Sequence, residues 1–267
     1  MVCTILQYRR MVCFNLFFML KKMIHQTRFE LPDIKINVEG DILVFDKPYQ
    51  CTSFDLVEKV KKYIRQAESN DMGSEKPRKI KVGHAGTLDP LATGVMIICV
   101  GSFTKKIEQF QIQEKEYTGT FMLGAITPSF DLEKPVCETF PTEHITKEKI
   151  IETANLFVGE QEQMPPHFSA VKVDGKRAYT LARQGLKPDI KLKKINISTF
   201  EITRIALPEV DFRIVCSKGT YIRSVARDFG QKLESGAYLT ALRRTRIGEF
   251  RVEDAIQCEK QDFKIFP

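Results

Sequence analysis

Lys81-Val82-Gly83-His84-Ala85-Gly86-Thr87-Leu88-Asp89-Pro90-Leu91-Ala92-Thr93-Gly94 holds one carboxylate in a loop built from glycine and proline. Gly83, Gly86 and Gly94 admit backbone angles closed to other residues, while Pro90 fixes its own φ and pushes Asp89 toward an extended conformation. Asp89 therefore points where the backbone aims it. Taken alone, the stretch fits either a loop that presents a working carboxylate or a Gly/Pro turn with a solvated aspartate. The run Gly94 to Val100 that follows is continuously apolar and suits a buried strand, which would anchor the loop to a central element.

Outward from this loop the pattern changes from strand to helix without regular alternation. Asp41–Asp46 alternates and reads as a strand ended by Pro48, and Thr52-Ser53-Phe54-Asp55 resembles a capping box opening a helix with Leu56, Val57, Val60 and Ile64 on one face. Glu68 to Lys79 is polar, contains Gly73 and Pro77, and predicts a surface loop. Tyr117–Leu123 reads as a strand. Thr146 caps a helix whose Ile150, Ile151, Ala154 and Phe157 are expected to face inward before Gly159 stops it. Phe168–Val173 followed by Asp174-Gly175 predicts a strand entering a hairpin, and Ala178 to Gln184 a short helix closed by Gly185. Val210–Ser217 is a strand. Ile222, Val225, Ala226, Phe229 and Leu233 then form a helical stripe ending near Gly236, with Arg223 in the first turn off that stripe. The mixture predicts an α+β fold.

A chain of 267 residues with 43% hydrophobic and 28% charged residues can bury a real core and is not a disordered tail. Lys and Arg number 41 against 34 acidic residues, a balance that suits a polyanionic partner without requiring one. The 7 cysteines show no C-x-x-C and the 4 histidines no H-x-x-x-H, so neither a zinc site nor a disulfide framework is indicated. Reduced cytosolic thiols are expected. Met11 to Leu20 is an apolar run about half the length that spans a bilayer, and Lys21-Lys22 follows it with no small-residue cleavage site. Residues 1–28 are expected to be a loosely ordered extension outside the folded region.

The loop closely resembles the signature of the TruB family of tRNA pseudouridine synthases, and further segments carry the resemblance in family order. Gly40-Asp41-Ile42-Leu43-Val44-Phe45-Asp46-Lys47-Pro48 is similar to the family's first motif, and Lys115-Glu116-Tyr117 to its active-site tyrosine segment. Pro165-Pro166-His167-Phe168-Ser169-Ala170-Val171-Lys172, Cys216-Ser217-Lys218-Gly219-Thr220-Tyr221-Ile222-Arg223 and Leu242-Arg243-Arg244 continue the series. The resemblance implies a pseudouridine synthase fold, a mixed and largely antiparallel sheet flanked by helices around a catalytic cleft. It places the catalytic domain at 29–248, an RNA-gripping insertion at about 164–190, and a short tail at 249–267 with no room for a PUA domain.

By the same resemblance Asp89 is the catalytic carboxylate, and Arg223 lies against it to oppose the protonation that burial favours. Tyr117 stacks on the uracil, Tyr221 packs beside it, and Leu242 closes the apolar side of the pocket. His84 fills the place of an extruded base. Lys172, Lys176, Arg177, Arg183 and Lys187 belong to the gripping arm, although residues alone allow a solvated face there. The implied partner is the T arm of tRNA, bound by a cytoplasmic monomer with no cofactor, metal, membrane or protein partner. Two other readings stay open. One is an RNA-folding protein without chemistry, against which Asp89, Tyr117 and Arg223 together argue; the other is a guide-RNA-directed synthase of the dyskerin type, against which the missing PUA room argues.

Overall fold

The computed structural model describes residues 29–71, 79–169, 171–173, 175–186 and 188–260. The expected extension 1–28, Ala170, Asp174 and Lys187 lie outside the described residues. The main strands are β1 (Gly40–Lys47), β2 (Val82–His84), β3 (Thr93–Gly101), β4 (Lys115–Leu123), β5 (Gly159–Gln163), β6 (Lys193–Ala206), β7 (Glu209–Cys216) and β8 (Ala237–Ile247). Helices α1 (Ser53–Asp71), α2 (Lys147–Asn155), α3 (Ala178–Arg183) and α4 (Ile222–Lys232) complete the frame. The path through the main sheet is Ile256–Gln257, β1, β3, β8, β4, β7, β6, β5, with β2 added to β3 and Phe250–Arg251 to β8. Pairing is antiparallel except between β8 and β3 and between Ile256–Gln257 and β1. This is the expected α+β sheet flanked by helices.

β3 is buried on both faces because its two residue sets enter two different cores. Met96, Ile98 and Val100 pack with Phe45, Leu56, Val60 and Ile64 under α1, whereas Val95, Ile97 and Cys99 join Phe110 and Ile247. The largest cluster lies beneath β4, β7 and β8, where Phe121 stacks on Phe212 with ring centroids 4.2 Å apart and meets Phe229 on α4 at 5.3 Å. Each such fully buried ring is worth about 1.5–3 kcal/mol. That burial makes a stiff floor for the loop entering β3.

The capping box at α1 is reciprocal: Asp55 N–H donates to Thr52 Oγ1 at 3.0 Å, and Thr52 N–H donates to Asp55 Oδ2 at 2.9 Å. At α2, Lys149 N–H donates to the Thr146 hydroxyl, the cap expected there.

Four expectations need correction. α1 runs to Asp71, so Glu68–Asp71 are helical rather than loop, since solvated polar residues do not by themselves end a helix; residues 72–78 of the expected loop lie outside the described residues. Ile151 is 49% exposed, because Ile150, Ala154 and Phe157 already fill the buried face and Ile151 lies about 100° around from Ile150. In the expected strand Phe168–Val173 only Lys172–Val173 pairs, with Lys176–Arg177, since this hairpin has no larger sheet beside it. The boundary at 248 also fails to separate a tail. Ile256–Gln257 extends the sheet beside β1, and Glu259–Lys260 pairs with Phe29–Glu30.

Candidate active site

The loop from Gly86 to Pro90 is fastened by its backbone at several points. The Ser53 hydroxyl at the start of α1 donates to Leu88 O and accepts from Leu88 N–H, both at 2.8 Å. Ala92 N–H closes a turn on Asp89 O. Lys47, fully buried at the end of β1, donates from Nζ to Cys51 O at 2.6 Å, Pro48 O at 2.9 Å and Pro90 O at 3.5 Å. Burial lowers its pKa to about 8, with nearby Cys51 and Asp89 opposing that fall. Gly94 ends the loop at φ 106°, and a Cβ there would meet Arg244 O at 2.1 Å, so only glycine lets β8 come this close.

Asp89 projects from this fastened loop onto Arg223. Its Oδ2 lies 2.8 Å from Arg223 Nε, and the second carboxylate, Asp131, stands 3.7 Å from the same nitrogen. Arg223 also donates through Nη1 to Ser129 O at 3.2 Å and through Nη2 to Phe168 O at 3.0 Å. The guanidinium is thus locked in one plane, its fork shared between carboxylates and carbonyls. The side chains of Arg223 and Asp131 are 7% and 10% exposed, but that of Asp89 is 38% exposed. Asp89 is therefore open on one side, contrary to the expectation of a buried carboxylate.

Asp89, Asp131 and Arg223 line a small, half-open cavity of about 20 Å³ together with Leu132, Leu239 and Leu242. That volume suits a water molecule. Leu91, Thr240, Ala241 and Leu242 also line a wider open groove of about 470 Å³, which Tyr49, Thr93, Thr118, Thr120 and Arg243 border. Arg243 is held there by a two-pronged pair with Asp46, at 2.6 and 3.1 Å. Among the described residues no group of three His, Cys, Asp or Glu side chains is placed to hold a metal ion. Among them, too, no helix is long and apolar enough to cross a membrane.

Residues 74–222 match the model of the TruB family pseudouridylate synthase (N terminal domain). The chain belongs to the TruB family of pseudouridylate synthases. It is similar to the tRNA pseudouridine synthase B of Flavobacterium johnsoniae, 56% identical over 219 residues that cover 82% of this chain and 93% of that protein. The protein of the same name from Phocaeicola vulgatus is 56% identical over 221 residues, 83% of this chain and 91% of that one. Among solved structures it resembles a chain of a Cbf5-Nop10-Gar1 complex at 28% identity and a TM-score of 0.58. The match covers 82% of this chain and 52% of that one, so this chain spans about half its length.

In this TruB-family fold Asp89, Arg223 and Leu242 meet at one cavity. Tyr117 is buried beside them on β4, directly across from Arg244 on β8; burial raises its pKa and the Arg244 guanidinium opposes that rise. Tyr221 caps α4 with its backbone clamped by Gln163, whose amide donates to Tyr221 O and whose oxygen accepts from Tyr221 N–H. His84 lies on β2, half-buried, and does not line the cavity; burial first and Arg244 second hold its pKa below the ordinary value. Lys176 and Arg177 are exposed on the small hairpin, where Arg177 pairs with the Lys172 backbone. The side chain of Lys172 lies outside what the structure describes.

Sequence reasoning missed Asp131, Ser53, Lys47 and Arg244 as parts of this site. Lys47 and Arg244 stood inside quoted motifs, yet nothing in their spacing says that a cation is buried there. Asp131 follows Phe130 at φ 62°, a left-handed residue that turns the chain back toward Arg223 and has no glycine to announce it.

Proposed function

We propose that this protein is a tRNA pseudouridine(55) synthase that isomerises a uridine of the T-arm loop, with Asp89 as its catalytic carboxylate. The observation that carries this reading is the Asp89 Oδ2 to Arg223 Nε contact of 2.8 Å on a loop fastened at Leu88 and Pro90. Relatives over half identical carry the name tRNA pseudouridine synthase B, which supports tRNA as substrate.

The reaction breaks the C1′–N1 bond, turns the free uracil and joins C1′ to C5. It is an isomerisation, so no electron carrier or second substrate enters the balance. A carboxylate beside the sugar and a dry pocket for the detached base are what it needs. Asp89, open on one side and held on the other by Arg223, can act as nucleophile or base at the sugar or the base ring. The base would enter between Leu132 and Leu242, which border the small cavity; the cavity has to widen to take a pyrimidine. Tyr117, near Asp89, and Tyr221, near Arg223, supply flat faces, while Leu242 excludes water.

The stacked uridine must first be extruded, at a cost of a few kcal/mol. His84 is assigned to the vacated base position: with its pKa depressed, its ring is neutral at pH 7 and suited to stacking. The groove bordered by Thr118, Thr120, Thr240 and Arg243 takes the loop backbone, and Lys172, Lys176 and Arg177 neutralise phosphates outside it. The protein is proposed to work as a cytoplasmic monomer. Incubating the purified protein with an unmodified tRNA transcript, without guide RNA, tests this reading. Pseudouridine at position 55 alone is the expected product, and binding without conversion, or conversion only with added guide RNA, counts against it.

A further inference from the structure

Arg244 is the largest fully buried side chain described, 1% exposed, and no carboxylate among the described residues forms an ion pair with it. Its donors go to backbone carbonyls instead. Nε donates to Val95 O at 2.8 Å, Nη2 to Gly86 O at 3.3 Å and Nη1 to Thr87 O at 3.4 Å. These three acceptors flank Asp89 on both sides, two before it in the loop and one at the start of β3. In the sheet Arg244 lies between Gly94 of β3 and Tyr117 of β4, one row across three strands. Gly94 admits the approach, because any Cβ there would strike Arg244 O.

Taking a guanidinium out of water costs several kcal/mol when no carboxylate compensates it. Three carbonyls alone do not demand a cation, since a water molecule or an amide can satisfy them. What a guanidinium adds is a rigid planar fork that fixes three acceptors at once in one geometry. The same charge lies near His84 and Lys47 and lowers the proton affinity of both, and it opposes the rise at Tyr117. One buried group therefore touches the loop backbone and neighbours the tyrosine and the histidine.

We propose that Arg244 is a positioning residue for the reaction: its guanidinium fixes the backbone on both sides of Asp89 from beneath and sets the Tyr117 side chain against the same loop. The inference rests on the reading of Asp89 as catalytic carboxylate. Arg223 holds the carboxylate, and Arg244 holds the peptide that carries it. Because Arg244 faces away from the RNA groove, its removal acts on the chemical step and leaves RNA affinity in place.

The test uses the full chain with Arg244→Lys and Arg244→Gln, measuring melting temperature, tRNA dissociation constant and the single-turnover rate at saturating tRNA. Lysine keeps the charge and glutamine keeps a donor, but neither has the rigid planar fork that reaches these three carbonyls. The expected result is a folded protein, affinity within about threefold of the parent, and a rate lower by about 10²-fold, the scale of a roughly 1 Å misplacement. Ile150→Ala on α2, which packs mainly on β6, provides a comparably destabilised control and should keep the parental rate. Rates within threefold of the parent in folded variants would overturn the proposal. So would a loss found wholly in affinity, an equal rate loss in the Ile150→Ala control, or failure of both variants to fold. Asp89→Asn in the same assay separates the two claims: an active Asp89→Asn sinks the reading of the site, whereas an inactive one beside parental Arg244→Lys sinks only the positioning role.

Discussion

Replacing Arg223 by lysine keeps the charge at the site and removes its shape. The guanidinium serves Asp89 at 2.8 Å, Phe168 O at 3.0 Å, Ser129 O at 3.2 Å and Asp131 at 3.7 Å. A lysine ammonium carries its three donors on one centre of a different stem, so it cannot meet all four of these acceptors in the geometry of a planar fork. At least one contact is lost, and hydrogen bonds to charged groups are worth about 1.5–3 kcal/mol each. The Asp89 side chain is 38% exposed, so solvent screens part of its Coulomb attraction and the loss there is mainly one of orientation. Assigning about 3 kcal/mol to the misdirected carboxylate predicts a rate about a hundredfold lower. The rest appears as a lower melting temperature, from the orphaned carbonyl beside Asp131. The assay is single-turnover conversion of a tRNA transcript at saturating enzyme, followed by release of tritium from C5 of the target uridine. A folded Arg223→Lys protein that turns over within threefold of the parent would refute the reasoning that Arg223 holds Asp89 in place.

Replacing Lys176, Arg177 and Arg183 together with Ala should raise the tRNA dissociation constant and flatten its salt dependence by a slope of up to about 2, with a smaller effect on the saturating rate; an unchanged slope means that this hairpin does not meet phosphate. Gly94→Ala should destabilise the protein by several kcal/mol, seen as a large fall in melting temperature, because φ is 106° and the new methyl would strike Arg244 O; a parental melting temperature contradicts the close approach of β3 and β8. His84 has a depressed pKa in the folded state, so the unfolded chain takes up its proton first as pH falls below about 6.5. Stability from this group is intact above that pH and declines through the folded-state pKa. The parent should therefore lose melting temperature relative to His84→Gln between pH 7 and pH 5, and a constant difference would show that His84 is not held neutral.

The frame of this protein was readable where local chemistry and packing agree. The apolar run after Gly94 became β3 because a strand buried on both faces needs no alternation, and Thr52 and Thr146 marked helix starts that their hydroxyls do cap. The encounter of Asp89 with Arg223 came from motif resemblance rather than spacing, since 134 residues, 223 minus 89, separate them in the chain. The unreadable parts depend on distant partners. β8 contains Arg243 and Arg244 in succession, so alternation requires one to face inward, but nothing local says that carbonyls of the loop before β3 will receive it. Ile256–Gln257 is too short to announce a strand and exists as one because β1 offers an open edge. Asp131 reaches Arg223 through a left-handed turn at Phe130, a conformation that composition does not predict.

The central claim is that Asp89 does the chemistry while the surrounding surface binds the RNA. Asp89→Asn keeps the shape of the side chain and removes its charge, and it tests that division most directly when affinity and single-turnover conversion are measured on the same tRNA transcript. The account predicts a dissociation constant within a few fold of the parent and no detectable pseudouridine. Conversion by Asp89→Asn at a rate within tenfold of the parent would contradict it.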